Sequence, residues 1–405
     1  METPPQNPRL RQGFLDVVRA DEKPFGLRPA RLIAGPQIPP RQWIYGTQII
    51  RGFVTLLVAP GGTGKSSYVL VMLMSIALRR PLLSTTIFRQ VNTALLNLED
   101  PPEEIDRRMA AIAKHYNILP EDLEGRFFMN PPDRTVTIAS KSADGSSVVF
   151  PDERAIIDQI KDQGIGVIGV DPFAESHLLE ENSNPEMVQA AAAWRRVARL
   201  GGCAVLLVHH ARKGSSMGSI EAARGAKALS DSARIGLLMS TMTEDECGVL
   251  AVPLADRHRY VRLDDAKANL SPRAAKATWL HLNHVELDNG TEEYPNGDQM
   301  QVVEAWKPMS LWDGITVQQT NEALDRIAAG LPDGSRFTHT RRSAERWAGN
   351  VLMTMFDVTE GQAAEMIRVW LANGVLLKET YHDTSQRKDR VGLTVNDVRR
   401  PGERL

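Results

Sequence analysis

A chain of 405 residues, 42% hydrophobic and 24% charged, has the make-up of an ordinary globular protein with room for one large domain and one or two smaller units. Its net charge of −2 gives no overall attraction to nucleic acid, so any such contact must come from local basic patches. Two distant cysteines, Cys203 and Cys247, exclude a disulfide framework or a cysteine zinc site and suit a reduced, cytoplasmic protein; no apolar run is long enough to span a bilayer, and no leader pattern is evident.

Residues 1–45 are rich in Pro and Arg without periodicity, and read as an irregular arm. The apolar run from Phe53 to Val58 predicts a buried strand, and an amphipathic run from Ser66 to Leu78 predicts a helix. Between them lies Ala59-Pro60-Gly61-Gly62-Thr63-Gly64-Lys65-Ser66-Ser67. Strand, glycine loop and helix in that order are the setting of a phosphate-binding loop. Glycines let successive backbone N–H groups approach a phosphate, and the helix adds its positive end. Residues Gly61, Gly62, Thr63, Gly64, Lys65, Ser66 and Ser67 would cradle ATP, with Lys65 on the β/γ-phosphates and the Ser66 hydroxyl on Mg²⁺. Ala59 stands where the common pattern opens with glycine.

Thr93 to Leu98 predicts a second buried strand, ending at Glu99-Asp100-Pro101-Pro102, with a helix from about Glu103 to His115. Less regular pieces fill 126–150. A helix over Asp152–Gln163, a strand over Gly166–Asp171, a helix over Met187–Leu200 and a strand over Ala204–Val208 restore the alternation. Such alternation means an α/β fold with a mostly parallel sheet covered on both faces. Further strands are expected at 235–239, 248–253 and 277–287. Composition shifts at 288–293, so the large domain is taken as 46–290, with a linker over 291–315. Helices are expected at about 316–329, 343–355 and 359–372, the last with a Thr359/Gln362 capping box and Gly374 past its end. A hairpin (375–395, tip 382–390) follows. Three helices and a hairpin over 316–396 suggest a winged helix, leaving a tail at 397–405.

Asp171, at the tip of the third strand, is placed to hold the Mg²⁺ water shell. Pro172 follows it, so the hydrolytic base must lie elsewhere: Glu99 at the end of the second strand is the best candidate and Asp100 the fallback. His209 and His210 close the fourth strand, where a neutral imidazole could sense the γ-phosphate or simply sit in the structure. The Ala211–Ser219 segment reads as a loop able to grip a phosphate backbone or as a plain solvated one. Arg224, Arg234 and Lys267 either cover surface or act on a nucleotide.

Together these residues resemble the RecA-type ATPases, and among them the RepA-like hexameric replicative helicase family, over roughly residues 45–285. The resemblance implies a RecA-like core with ATP and Mg²⁺ held between adjacent subunits of a homo-oligomeric ring. Leu98-Glu99-Asp100-Pro101 is similar to that family's Glu-Asp-Pro step, implying Glu99 as base, and Asp171 matches its Walker B carboxylate. Val208-His209-His210-Ala211-Arg212-Lys213-Gly214 resembles its His-His motif, implying His210 as phosphate sensor. Arg224-Gly225-Ala226 and Asp231-Ser232-Ala233-Arg234 resemble its arginine-finger region, and Ala266-Lys267-Ala268-Asn269 its Lys-x-Asn step. The loop after the histidines is shorter than the family's. The C-terminal third lies outside the match and looks like phage-type ATPases with an appended DNA-binding unit. The implied function is a helicase or single-strand DNA translocase in plasmid or phage replication, with other replication proteins as partners. The alternative is a nucleotide-switched loading factor that never unwinds.

Overall fold

The computed structural model describes residues 27, 29–132, 134–211, 226–272, 274, 277–383 and 386–402. The described residues up to Arg41 form a unit of their own, exposed throughout and irregular apart from a 3₁₀ turn at Gly35–Gln37. The expected arm thus ends earlier than residue 45, because a short hairpin, β1 (Trp43–Tyr45) and β2 (Ile49–Ile50), already buries Ile44, Tyr45, Ile49 and Ile50.

The strand leading into the glycine loop is β3 (Val54–Pro60), and the helix after it is α1 (Lys65–Leu78). Then come β4 (Asn92–Asn97), α2 (Pro102–Tyr116), α3 (Pro120–Leu123), β5 (Phe127–Met129), a small β6 (Ser140–Lys141) and β7 (Val148–Val149) pair, and α4 (Glu153–Asp162). The sequence continues through β8 (Ile165–Asp171), α5 (Asn184–Gly201), β9 (Ala204–Ala211), α6 (Ala226–Ser232), β10 (Ile235–Thr241), α7 (Glu244–Leu250), β11 (Tyr260–Ala268), β12 (Thr278–Glu286) and β13 (Gln299–Trp306). These build a nine-stranded sheet in the order β13-β12-β11-β10-β3-β9-β8-β4-β5. From β10 to β5 all neighbours are parallel, and β11 to β13 continue the sheet antiparallel. The α/β fold with a mostly parallel sheet is therefore as expected.

Alternate side chains of each central strand feed opposite cores. Leu57 and Ala59 pack with α1 and α2, whereas Leu56 and Val58 pack with α4 and α5. That double burial is why β3, β8 and β9 read as continuous apolar runs. Helix α1 departs from the amphipathic pattern: Tyr68 to Met74 are buried on every side, because β12 and β13 cover the face turned away from the parallel strands.

Three expectations need correction. Residues 248–253 are not a strand; Thr243 and Glu246 form a reciprocal capping box that starts α7 there. Strand β11 was not anticipated, and neither was β13, which occupies the segment taken as a linker over 291–315. The polar stretch 288–298 is the turn of the β12–β13 hairpin, closed by Asn289 hydrogen-bonded to Asp298, rather than a domain edge.

The C-terminal part contains α8 (Val317–Ala329), α9 (Gly349–Phe356), α10 (Glu360–Ala372) and a hairpin of β14 (Leu376–Asp383) and β15 (Lys388–Val395). Helix α9 starts later than the expected residue 343, after a 3₁₀ turn at Ala344–Arg346. Leu324, Ile327, Leu352, Met366, Trp370 and Leu393 fill its core. This part packs against the sheet domain where α10 meets α7. The Thr359 hydroxyl donates to the Gly248 carbonyl, and a Cβ on Gly361 would lie 2.4 Å from the Gly248 carbonyl carbon.

Candidate nucleotide site

The loop after β3 is shaped by backbone that only glycine adopts freely. Gly62 and Gly64 have φ of 78° and 73°, and the Thr63 hydroxyl closes the turn on the Pro60 carbonyl at 2.8 Å. Gly64 caps α1 with no side chain across its N-terminus, and the Tyr68 N–H makes the first helical bond back to the Gly64 carbonyl. The N–H groups before it are left for a phosphate.

Strand order sets the neighbours of this loop. Because β9 lies between β3 and β8, His210 sits beside Ala59 in the ladder. Asp171 pairs with Asn97 on β4, two residues before Glu99. Lys65, Ser66, Asp171, His210 and Glu99 thus gather at one carboxyl-terminal edge, the usual place for a ligand on a parallel sheet. Asp171 is buried, and its Oδ1 has no hydrogen-bond partner among the described residues. Burial raises its pKa, while the Ser66 hydroxyl hydrogen bond, the Lys65 charge and the His210 charge pull the other way. An orphaned carboxylate oxygen next to a serine hydroxyl fits a hard divalent cation that takes its other ligands from phosphate and water. Among the described residues no cluster of three His, Cys, Asp or Glu side chains would hold a metal by itself.

Glu99 faces His210, with 3.3 Å between Oε2 and Nε2. Its neighbour Asp100 is engaged by Arg108 through contacts of 2.7 and 3.3 Å. His209 is buried against Phe173, as strand alternation requires if His210 points outward. Asn130 holds the approach to Glu99. Its amide accepts from the Asn97 N–H at 2.8 Å and donates to the Asn97 carbonyl at 3.1 Å, while the Asn97 side chain caps the Asp100 backbone. Nothing in the sequence singled out Asn130, because the pair is 33 residues apart.

Other expected site residues lie elsewhere. The Ser67 hydroxyl is buried and accepts from the Val303 N–H on β13 at 3.0 Å, so it joins the loop helix to the covering strand. Arg234 precedes β10, where Ile235 pairs with Thr55 at the amino-terminal end of β3. Lys267 pairs with Gly236 at that same end, and its ammonium reaches the Ser230 carbonyl at 2.6 Å. Five strand residues, roughly 17 Å, separate them from the glycine loop of their own chain. Arg224 and the expected DNA-contacting loop up to Ser219 lie outside the described residues, apart from the backbone of Ala211.

Residues 21–216 match the family model described as an AAA domain. The chain is similar to that family over this span, just under half of its length. The matched span takes in the glycine loop, Glu99, Asp171 and His210, and it stops before Arg234, Lys267 and strands β10 to β15. Among solved structures, the chain is similar to a KaiC-like protein from the hyperthermophilic archaeon Pyrococcus horikoshii OT3, at 14% identity over 64% of this chain and 94% of that one, with a TM-score of 0.40. As in P-loop ATPases generally, the AAA domain implies a bound nucleotide with Mg²⁺. Ser66 and Asp171 would hold the cation there, and Glu99 lies at the same edge beside His210.

Proposed function

We propose that the protein is an ATP-hydrolysing, RecA-like ring ATPase that works on single-stranded DNA as a helicase or translocase in plasmid or phage replication. The observation that carries this reading is the Glu99–His210 contact at the edge shared with the glycine loop. Glu99 is the base that polarises the attacking water, and His210 is a sensor that changes partner when a γ-phosphate arrives. His210 directly precedes the Ala211–Ser219 segment, so its change of partner reaches the part of the chain expected to meet DNA. Arg234 and Lys267, far from their own loop, act on the nucleotide of an adjacent subunit. That division of labour makes a homo-oligomeric ring, taken as hexameric, the active form.

The second reading is a nucleotide-switched loading factor, favoured by the close seat of the C-terminal part on α7. In both readings residues 316–396 act as a winged helix. Of its tip cations, Arg390 is tied to the buried carboxylate of Asp383 at 2.9 Å, leaving Arg387 and Lys388 for DNA. The deciding experiment measures ATP turnover with and without single-stranded DNA, alongside displacement of one strand from a forked duplex. Stimulated turnover with displacement supports the helicase. Turnover without displacement or movement along DNA gives the loading factor, and a protein that never hydrolyses ATP overturns both.

A further inference from the structure

At the amino-terminal edge of the sheet, opposite the nucleotide site, a cavity of about 330 Å³ is lined by Phe53, Arg195, Arg199 and Arg234 over a floor of Gly52, Val54 and Ala192. Arg195 and Arg199 stand one turn apart on α5, a like-charge spacing that disfavours the helix. Neither they nor Arg234 has a carboxylate partner among the described residues. Arg196, between them, is held by both oxygens of Glu153 and lies over the Phe150 ring. Helix α4 therefore supplies an acid, Glu153, for one arginine of α5 and none for its neighbours among the described residues. Guanidinium groups in such a set match phosphate oxygens two at a time.

The cavity also presents an aromatic ring. Phe53 is 37% exposed although it directly precedes the buried strand β3. Cations that follow a backbone, combined with an aromatic face on which a base stacks, are the recognition chemistry of single-stranded nucleic acid. A free phosphate or an acidic protein surface has no use for the ring, and a duplex keeps its bases stacked on each other.

We propose that this arginine-lined cavity is a binding site for a single nucleic-acid strand, with phosphates on Arg195 and Arg199 and a base on Phe53. The site stands independently of any unwinding activity, since a loading factor could carry it equally well.

The test is fluorescence anisotropy of a labelled oligothymidylate with the full-length protein over a series of KCl concentrations, with basal ATP turnover measured in parallel without oligonucleotide. The Arg195→Ala/Arg199→Ala variant is expected to lower the slope of log affinity against log salt by about 1.4, two lost phosphate contacts. Phe53→Leu keeps an apolar side chain and is expected to weaken binding about fivefold or more. Basal turnover should hold in both. Unchanged affinity and slope in both variants overturn the proposal, as does a parent protein that does not bind the oligonucleotide. If the arginine variant keeps oligonucleotide affinity but loses turnover, the cavity serves an adjacent copy's nucleotide and the proposal fails. If duplex binds as tightly as single strand and Phe53→Leu changes nothing, stacking is absent and the proposal fails as well.

Discussion

Two neighbouring carboxylates at the end of β4 differ in what surrounds them. Asp100 is neutralised by Arg108, while the partner of Glu99 among the described residues is a histidine. Glu99→Gln should bind ATP normally and hydrolyse it about 10²–10⁴-fold more slowly, measured as steady-state turnover beside nucleotide affinity. If Asp100→Asn removes turnover and Glu99→Gln does not, the roles are reversed. Asp171 carries a pH signature. Burial raises its pKa, so its contribution to stability is fully present below the ordinary carboxylate pKa of about 4 and is lost as pH rises through the folded-state value. At neutral pH the nucleotide-free protein has therefore lost stability that it keeps in acid. Asp171→Asn should raise the Tm of the nucleotide-free protein at neutral pH, with the gap closing in acid. Mg²⁺ with ADP should stabilise the parent more than the variant. A variant that melts lower than its parent at neutral pH would show that the carboxylate is structurally required rather than reserved for a cation.

At the scale of elements, β12 and β13 bind the phosphate-loop helix into the sheet. A Cβ on Gly64 would meet Leu282 at 2.7 Å, and Ser67 caps the Val303 N–H. Ser67→Ala should cost about 1–3 kcal/mol in a denaturant titration, because a buried N–H loses its acceptor, with nucleotide affinity little changed. Lost affinity with unchanged stability would instead return that hydroxyl to the ligand. This covering strand was the part least legible in the sequence. The parallel strands announced themselves as apolar runs buried on both faces, and the glycine loop, Glu99, Asp171 and His210 fell at strand ends where chain order alone placed them. Strands β11 and β13 are half-covered, with charged and polar residues among buried Val261, Leu263, Val302 and Val303, so their pattern resembles surface. One signal was available: α1 has no polar face over Tyr68–Met74, and a helix apolar all round must be covered twice. The capping box at Thr243 likewise marked a helix start where apolar content suggested a strand. Asn130 could not have been found, because its role exists only once β4 and β5 lie side by side.

For the whole molecule, the distance between Arg234 and its own glycine loop makes subunit contact part of the proposed chemistry. Arg234→Ala should bind ATP, assemble and fail to hydrolyse, and Lys65→Ala should fail for want of phosphate contact. Mixed rings of the two should regain partial turnover, because some interfaces then pair an intact Lys65 with an intact Arg234; a trans arginine supplies about 10³–10⁵-fold. No recovery after verified subunit exchange would mean that Arg234 works within its own chain or that another cation is the finger. The seat of the C-terminal part is testable separately. Gly361→Val puts atoms where the Gly248 backbone lies, and should expose the Thr316–Val395 part to limited proteolysis while ATP binding persists. A protease pattern identical to the parent's would mean that the contact yields at little cost.

That seat has an evolutionary consequence. Gly361 leaves no room for any side chain against the Gly248 backbone, and Gly248 already has the Gly361 Cα at 3.7 Å from where its own Cβ would stand. Position 361 is therefore not free to drift by single substitutions while the two parts stay together. A lineage that lost this glycine would have to re-angle α10 against α7 in the same step, or let the C-terminal part go its own way.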